Sequence, residues 1–195
     1  MALGTVTASY ELRFDTGRVC LDLLATAHPG ERLGSVDALR AWITGAGLVP
    51  DGTPLAHADP SWLDGFRELR SHLVPLVRAP GSPSQGPALA RVNDLARSAP
   101  PAPRAVPAAD GTLVRRLDGP PGRDALIGAV ARDAVDLLTD PAARASVRQC
   151  EGDNCPIVYV DTSRGRRRRW CSSEVCGNRE RVARHRRRTA ALTRA

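Results

Sequence analysis

The chain has 195 residues, of which 42% are hydrophobic and 25% charged, a composition typical of a globular protein. This length accommodates one domain with a hydrophobic core and a smaller second module. No stretch approaches the roughly eighteen apolar residues that span a bilayer, and no secretory signal is evident before Glu11, so we expect a cytoplasmic protein without membrane contacts.

The N-terminal part of the chain is predicted to be mainly helical. An apolar helix is expected over 19–27, and Ser35 is a suitable N-cap for a second helix. Asp59 and Pro60 open a third helix, because aspartate caps well and proline fits the first turn. Pro75 is expected to kink or end that helix.

Short strands and loops occupy much of the remaining N-terminal sequence. Residues 10–14 alternate like a strand, and the proline-rich and glycine-rich stretch 79–122 contains a short helix at 88–97. Asp110-Gly111 predicts the turn of a β-hairpin. Residues 124–139 then predict an amphipathic helix.

Four cysteines fall into two pairs, Cys150 with Cys155 and Cys171 with Cys176. In a reducing compartment, closely paired cysteines indicate a metal site rather than disulfides. Four thiolates complete the tetrahedral coordination of zinc and leave no position open for water, so we predict one structural zinc ion per chain. An iron–sulfur cluster is the alternative for the same ligands.

The residues between the cysteines predict a treble-clef-like finger, made of a knuckle, a β-hairpin and a helix. Turn-forming residues 151–154 place the first cysteine pair on one knuckle, and the β-prone run 157–160 is expected to pair with 167–170. One of the two serines after Cys171 would cap a helix that begins there and holds Cys176.

The net charge is concentrated in the same segment. Residues 1–149 carry 16 arginines and 16 acidic residues, whereas residues 150–195 carry 12 arginines and 5 acidic residues, and the chain has no lysine. The C-terminal segment therefore holds the whole net charge of +7, of which about +5 would remain with four thiolates and one zinc ion bound. Such a surface favours a polyanion, most commonly nucleic acid.

These motifs resemble a known finger and the domain that accompanies it. The Cys-Gly-Asn-Arg sequence at 176–179, preceded by Trp170-Cys171, is similar to the CGNR zinc finger. The N-terminal part resembles the ABATE domain found with that finger in stress-induced bacterial transcription regulators. The resemblance is carried by residues 20–26, 39–42 and 46–48. It implies a DNA-binding finger on a mainly helical regulatory domain.

Helix geometry selects the arginines expected to contact nucleic acid. At about 100° per residue, Arg181, Arg184 and Arg188 fall together on one side of the last helix. We expect these three, with Arg166 and Arg168 near the turn of the hairpin, to contact phosphates.

The residues of the motif itself are expected to be structural. Arg179 lies on the other side of the helix and is predicted to pair with Asp161 or to bond the knuckle backbone; a direct contact with DNA is the alternative. Trp170 is predicted to shield the zinc, and Asn178 to support the motif. His185 is expected to be a surface residue, since four thiolates already complete the site.

The sequence thus predicts an α+β protein with a mainly helical domain at 1–145 and a zinc finger at 146–195. No catalytic motif is present, so an enzyme is not predicted. The leading function is a DNA-binding transcription regulator, associated with the nucleoid, whose N-terminal domain senses a small ligand or forms a homodimer. An RNA-binding finger and a protein-interaction adaptor are the alternatives.

Overall fold

The computed structural model describes residues 12–192, except for the side chains of Arg188, Ala190, Ala191 and Leu192. This range contains seven helices and four strands, which form two small antiparallel sheets. The predicted α+β fold with a mainly helical domain is confirmed. The helices are α1 (Val19–Ala25), α2 (Val36–Gly45), α3 (Pro60–Arg78), α4 (Gln85–Leu95), α5 (Arg123–Thr139), α6 (Pro141–Ala145) and α7 (Cys176–Leu192), and the strands are β1 (Pro103–Pro107), β2 (Leu113–Leu117), β3 (Val147–Gln149) and β4 (Val158–Val160).

The predicted caps set the starts of α2 and α3. The Ser35 hydroxyl accepts a hydrogen bond from the Ala38 N–H at 3.1 Å. The Asp59 carboxylate accepts from the Ser61 N–H at 2.8 Å, and Pro60 occupies the first helical position. Pro75 does not end α3, which continues to Arg78 with buried leucines on both sides of the proline.

Helices α1, α3 and α5 enclose one hydrophobic core, onto which α2 and α4 pack. Trp42 of α2 meets Phe66 of α3 edge to face, with ring centroids 5.6 Å apart. Cys20 of α1 is fully buried in this core, and burial raises the pKa of its thiol well above the ordinary value. Cys20 therefore packs in the core as a buried thiol.

The β1–β2 hairpin forms where the Asp110-Gly111 pair predicts it. Gly111 has a φ of +82°, a left-handed conformation that glycine adopts without steric cost. The Asp110 carboxylate accepts a hydrogen bond from the Thr112 N–H at 3.0 Å, which fixes the turn.

Strand β4 joins the cysteine-containing segment to the helical core. Val158 and Val160 pack into the core of the helices, whereas Tyr159, between them, packs with the cysteines on the other face. The Val160 N–H also donates to the Thr16 carbonyl at 2.8 Å. The finger and the helical domain therefore share a strand.

The partner of β4 differs from the one the sequence predicts. Strand β4 pairs with β3, which precedes the first cysteine, and Arg148 lies opposite Tyr159. The prediction that 157–160 pairs with 167–170 is wrong. In the returning segment, side chains bind the backbone of Arg168: its N–H donates to the Asp161 carboxylate at 3.0 Å, and its carbonyl accepts from the Tyr159 hydroxyl at 2.6 Å. Single hydrogen bonds hold the returning segment instead, such as that from the Glu151 N–H to the Arg169 carbonyl at 2.9 Å.

The segment before α1 is not a strand over the residues described. Tyr10 and Glu11, which begin the predicted strand 10–14, lie outside the described residues, and 12–15 are irregular. None of the helices described combines the length and apolar character that crossing a membrane requires.

Candidate metal centre and basic helix

The four predicted metal ligands come together in one buried cluster. The sulfurs of Cys150, Cys155, Cys171 and Cys176 all lie within 4.8 Å of one another. The Cys155 and Cys171 sulfurs are 3.7 Å apart, and those of Cys171 and Cys176 are 3.6 Å apart. Tetrahedral zinc with Zn–S bonds of about 2.3 Å places its sulfurs about 3.8 Å apart. The donor set and its size therefore fit one zinc ion, with no position left for a substrate.

The first two ligands lie on a tight knuckle between β3 and β4. The Cys155 N–H donates to the Gly152 carbonyl at 3.1 Å, and the Cys150 N–H donates to Ile157 at 2.9 Å. A Cβ atom on Gly152 would lie 3.3 Å from the Cys176 Cβ and 3.5 Å from the Cys150 sulfur. A side chain at this position would have to displace Cys176 by a few tenths of an ångström, so glycine suits the knuckle.

The last two ligands flank a turn that leads into α7. The Ser172 hydroxyl accepts from the Val175 N–H at 3.2 Å, and its carbonyl accepts from the Gly177 N–H at 2.9 Å. This serine cap is one of the two predicted. Helix α7 begins at Cys176 rather than directly after Cys171, because the turn occupies residues 173–175.

Burial opposes ionisation of the cysteine thiols, which a bound cation would favour. Burial raises the pKa of Cys155 to about 11 and raises that of Cys176 as well. Burial also opposes ionisation of Cys150, but the N–H groups of Cys171 and Gly152 donate to its sulfur at 3.3 and 3.4 Å and bring its pKa below the ordinary value. A divalent ion would supply the charge that turns the thiols of Cys155 and Cys176 into thiolates, so zinc binding there would release protons.

An aromatic layer covers the cluster. Tyr159 is fully buried beside the cysteines, and its hydroxyl donates to the Arg168 carbonyl at 2.6 Å. Trp170 is half-buried against the same cluster and lies over Gly177, where a Cβ atom would be 3.5 Å from the indole ring. Trp170 is therefore placed to shield the metal from water.

Arg168 is engaged within the finger. Its guanidinium lies over the Tyr159 ring, 4.5 Å from the centroid, and donates to the carbonyls of Trp170 and Cys171. This partly buried, stacked placement gives Arg168 a role within the finger, and the phosphate contact expected of it stays a prediction. Arg166 is exposed in the turn, as a phosphate contact requires.

The predicted pair of Arg179 with Asp161 does not form. Asp161 is buried, and its carboxylate accepts from the Ser163 hydroxyl at 2.6 Å and from the Arg168 N–H at 3.0 Å. The hydrogen bond from Ser163 lowers the pKa of this carboxyl. Asp161 thus orders the returning segment after β4, and Arg179 is exposed.

Arg179 instead lines a cleft of about 740 Å³ between the helical domain and the finger. His28 and Arg32 line it from the helical domain, and Val175 from the finger. Burial and several neighbouring arginines, Arg179 among them, lower the pKa of His28. Asn178 is exposed at the start of α7.

Beyond its first turn, few side chains of α7 contact the rest of the protein; one is Glu180, which accepts a hydrogen bond from the Asp153 N–H at 3.5 Å. Its described side chains from Asn178 to Arg187 are exposed or half-exposed, including Val182 at 41%. Arg181 donates back to the carbonyls of Gly177 and Ser173 at 3.2 and 3.1 Å but stays exposed. Arg184 and His185 are also exposed, and the Arg188 side chain lies outside those described.

Sequence reasoning missed one residue of the metal centre, Arg13. Its guanidinium reaches the sulfur of Cys171 at 3.0 Å and the carbonyl of the same residue at 2.9 Å. The two residues are 158 positions apart in the chain, and no motif links them. Only the tertiary structure reveals this contact.

Two family models match separate parts of the chain. Residues 17–141 match the ABATE family, which is described as a putative stress-induced transcription regulator. Residues 146–189 match the CGNR zinc finger. No curated protein matches the chain.

Proposed function

Because the chain belongs to the ABATE family and carries a CGNR zinc finger, we propose that it is a zinc-dependent DNA-binding transcription regulator. One observation carries the proposal: α7 starts at a zinc ligand, carries six arginines and one glutamate, and leaves most of its described side chains beyond the first turn exposed. A helix that buries no apolar face has to be stabilised by a partner or by its own polar contacts. An exposed α-helix fits the major groove of DNA, and its arginines fit phosphates.

Two groups of arginines supply the proposed contact surface. Arg181 and Arg184 of α7, together with Arg188, retain the role predicted from helix geometry. The turn of the returning segment adds Arg166 and its exposed neighbours Arg164 and Arg167. We leave Arg168 out of the proposed surface because its side chain is partly buried and stacked on the Tyr159 ring.

The zinc ion would act as a scaffold in this function. Held by the four cysteines, it would fix the start of α7 relative to the arginine-rich turn, so that both groups face one ligand. A coordination sphere of four thiolates supplies no catalytic position. For the ABATE domain we keep the prediction of a sensing or dimerising role, with the protein located in the cytoplasm at the nucleoid.

The salt dependence of DNA binding tests the proposal. Fluorescence anisotropy of a labelled duplex with the zinc-loaded full chain should give a log–log slope near −5 if about six phosphates are neutralised. Arg184→Gln should weaken binding and reduce the slope by about one unit. Arg97→Gln, which changes an exposed arginine of the helical domain, is the matched control and should leave the slope unchanged.

Other outcomes distinguish the alternatives. Stronger competition by single-stranded RNA than by duplex DNA would identify an RNA-binding finger. Absence of binding to either nucleic acid at moderate salt, with full zinc occupancy, would favour a protein-interaction adaptor. In vitro selection of bound duplexes would then identify the sequence, if DNA is retained.

A further inference from the structure

Arg13 is anchored on the helical domain and directed at the metal centre. Its Nε and Nη2 atoms donate to the two carboxylate oxygens of Asp15 at 3.0 and 2.7 Å, which fixes the plane of the guanidinium. Between these residues, the Phe14 ring lies over Gly45 of α2, where even a Cβ atom would come within 2.3 Å of it. The segment is thus attached to the helical domain on one side and to the finger on the other.

The remaining donors of Arg13 bind a single zinc ligand. Nη1 donates to the Cys171 sulfur at 3.0 Å, and Nη2 also donates to the Cys171 carbonyl at 2.9 Å. Cys171 is fully buried, whereas the Arg13 side chain keeps only 18% of its exposure. A charged N–H group therefore meets this sulfur away from bulk water, where electrostatic interactions are strongest.

A zinc ion with four thiolates carries a net charge of about −2, and burying that charge is costly unless it is compensated. At the Cys150 sulfur, two backbone N–H groups compensate part of this negative charge. At Cys171 the compensation comes from the Arg13 guanidinium. A positively charged donor reduces the electron density on a thiolate, and hence both its basicity and its reactivity towards electrophiles.

We propose that Arg13, oriented by Asp15, is an outer-shell residue of the zinc site that stabilises the Cys171 thiolate. The N-terminal segment is then part of the metal centre, and zinc retention depends on its attachment to the finger. When this segment is displaced, the finger would lose zinc or its Cys171 sulfur would react with electrophiles. This inference rests on the zinc site alone and holds whether or not the protein binds DNA.

The test compares Arg13→Gln with Arg18→Gln in the zinc-loaded full chain. Arg18 is a matched control because it lies in the same segment, is similarly buried and pairs with Asp133 at 2.8 Å, yet it contacts none of the four cysteines. Zinc transfer to a chromogenic chelator is followed by absorbance. Arg13→Gln should accelerate it about tenfold or more, the usual effect of losing an outer-shell partner, and Arg18→Gln should not.

Cysteine mapping separates a direct effect on the thiolate from a general loosening of the fold. Partial alkylation followed by peptide mass spectrometry should show that Cys171 is alkylated earlier in the Arg13→Gln variant than in the protein without the substitution. Asp15→Asn frees the Arg13 guanidinium without removing it, so it should also advance the alkylation of Cys171, but to a smaller extent. This variant replaces Arg13→Gln in the test if Arg13→Gln does not fold. Equal zinc transfer in the Arg13 and Arg18 variants, or an unchanged order of alkylation, would overturn the proposal.

Discussion

The shared strand β4 predicts that a core substitution far from the sulfurs changes zinc affinity. Val158 is buried in the core of the helices, while its neighbours Ile157 and Tyr159 pack against the cysteines. Replacing Val158 with alanine removes two methyl groups from a closely packed site and should cost about 2 kcal/mol. Since zinc binding is coupled to folding of the finger, that cost should appear in the binding free energy.

The expected weakening follows from this magnitude. At about 1.4 kcal/mol per factor of ten, a loss of about 2 kcal/mol corresponds to an apparent zinc affinity roughly 30-fold lower. Competition with a fluorescent chelator of known affinity measures this change, and urea unfolding followed by circular dichroism measures stability. Val92→Ala is the matched control, because Val92 is fully buried in α4 and packs in the same helical core.

The two variants separate three outcomes. Both variants should lower the unfolding free energy, and only Val158→Ala should weaken zinc binding. If Val158→Ala leaves zinc affinity unchanged, β4 docks without the metal and the coupling does not exist. If Val92→Ala weakens zinc binding equally, the whole chain folds with the metal, and the helical domain is not stable alone.

Three further predictions concern other parts of the fold. Burial raises the pKa of Asp22 from 3.8 to about 6. Ionised Asp22 therefore lowers the unfolding free energy by up to about 3 kcal/mol at neutral pH, and this loss disappears as the pH falls towards 4 and the carboxyl is protonated. Asp22→Asn should therefore be more stable than the unmodified protein in urea unfolding near pH 7.5, with the difference vanishing near pH 4. Gly128→Ala should lower the thermal midpoint by several degrees, because its Cβ would lie 2.5 Å from the Ser98 carbonyl oxygen. Tyr159→Phe should cost about 1–2 kcal/mol in urea unfolding by leaving the Arg168 carbonyl without its buried donor.

Each of these predictions has a control or a contrary result. An Asp22→Asn protein less stable than the unmodified protein near pH 7.5 would show that the carboxylate is net stabilising. Gly86→Ala is the control for Gly128→Ala, because Gly86 lies in α4 with open space around the new methyl group, and it should raise the unfolding free energy by about 0.5–1 kcal/mol. A gain in stability for Gly128→Ala as well would show that its Cβ does not clash with Ser98. An unchanged unfolding free energy for Tyr159→Phe would mean that water replaces the lost donor.

Local signals in the sequence determined most of the elements. Ser35 and Asp59 start helices because their side chains accept from N–H groups two or three residues ahead, a property of the local chain. The Asp110-Gly111 turn is equally local, since it needs only one left-handed residue and one carboxylate. The four zinc ligands were recognisable for a similar reason, because paired thiolates at short spacing have few other uses in a reducing compartment.

Only the tertiary structure decided the relations between distant segments. The β-prone run that forms β4 carries no information about its partner. The structure pairs it with β3, while the side chains of Asp161 and Tyr159 bind the returning segment. Which arginines are available was likewise undecided, because Arg168 and Arg184 look alike until the contacts of Arg168 with Tyr159, Trp170 and Cys171 are known. The place of Arg13 beside Cys171 depends on the packing of a segment at the other end of the chain. Sequence determines the local chemistry of a residue, whereas its neighbours depend on how the whole core packs.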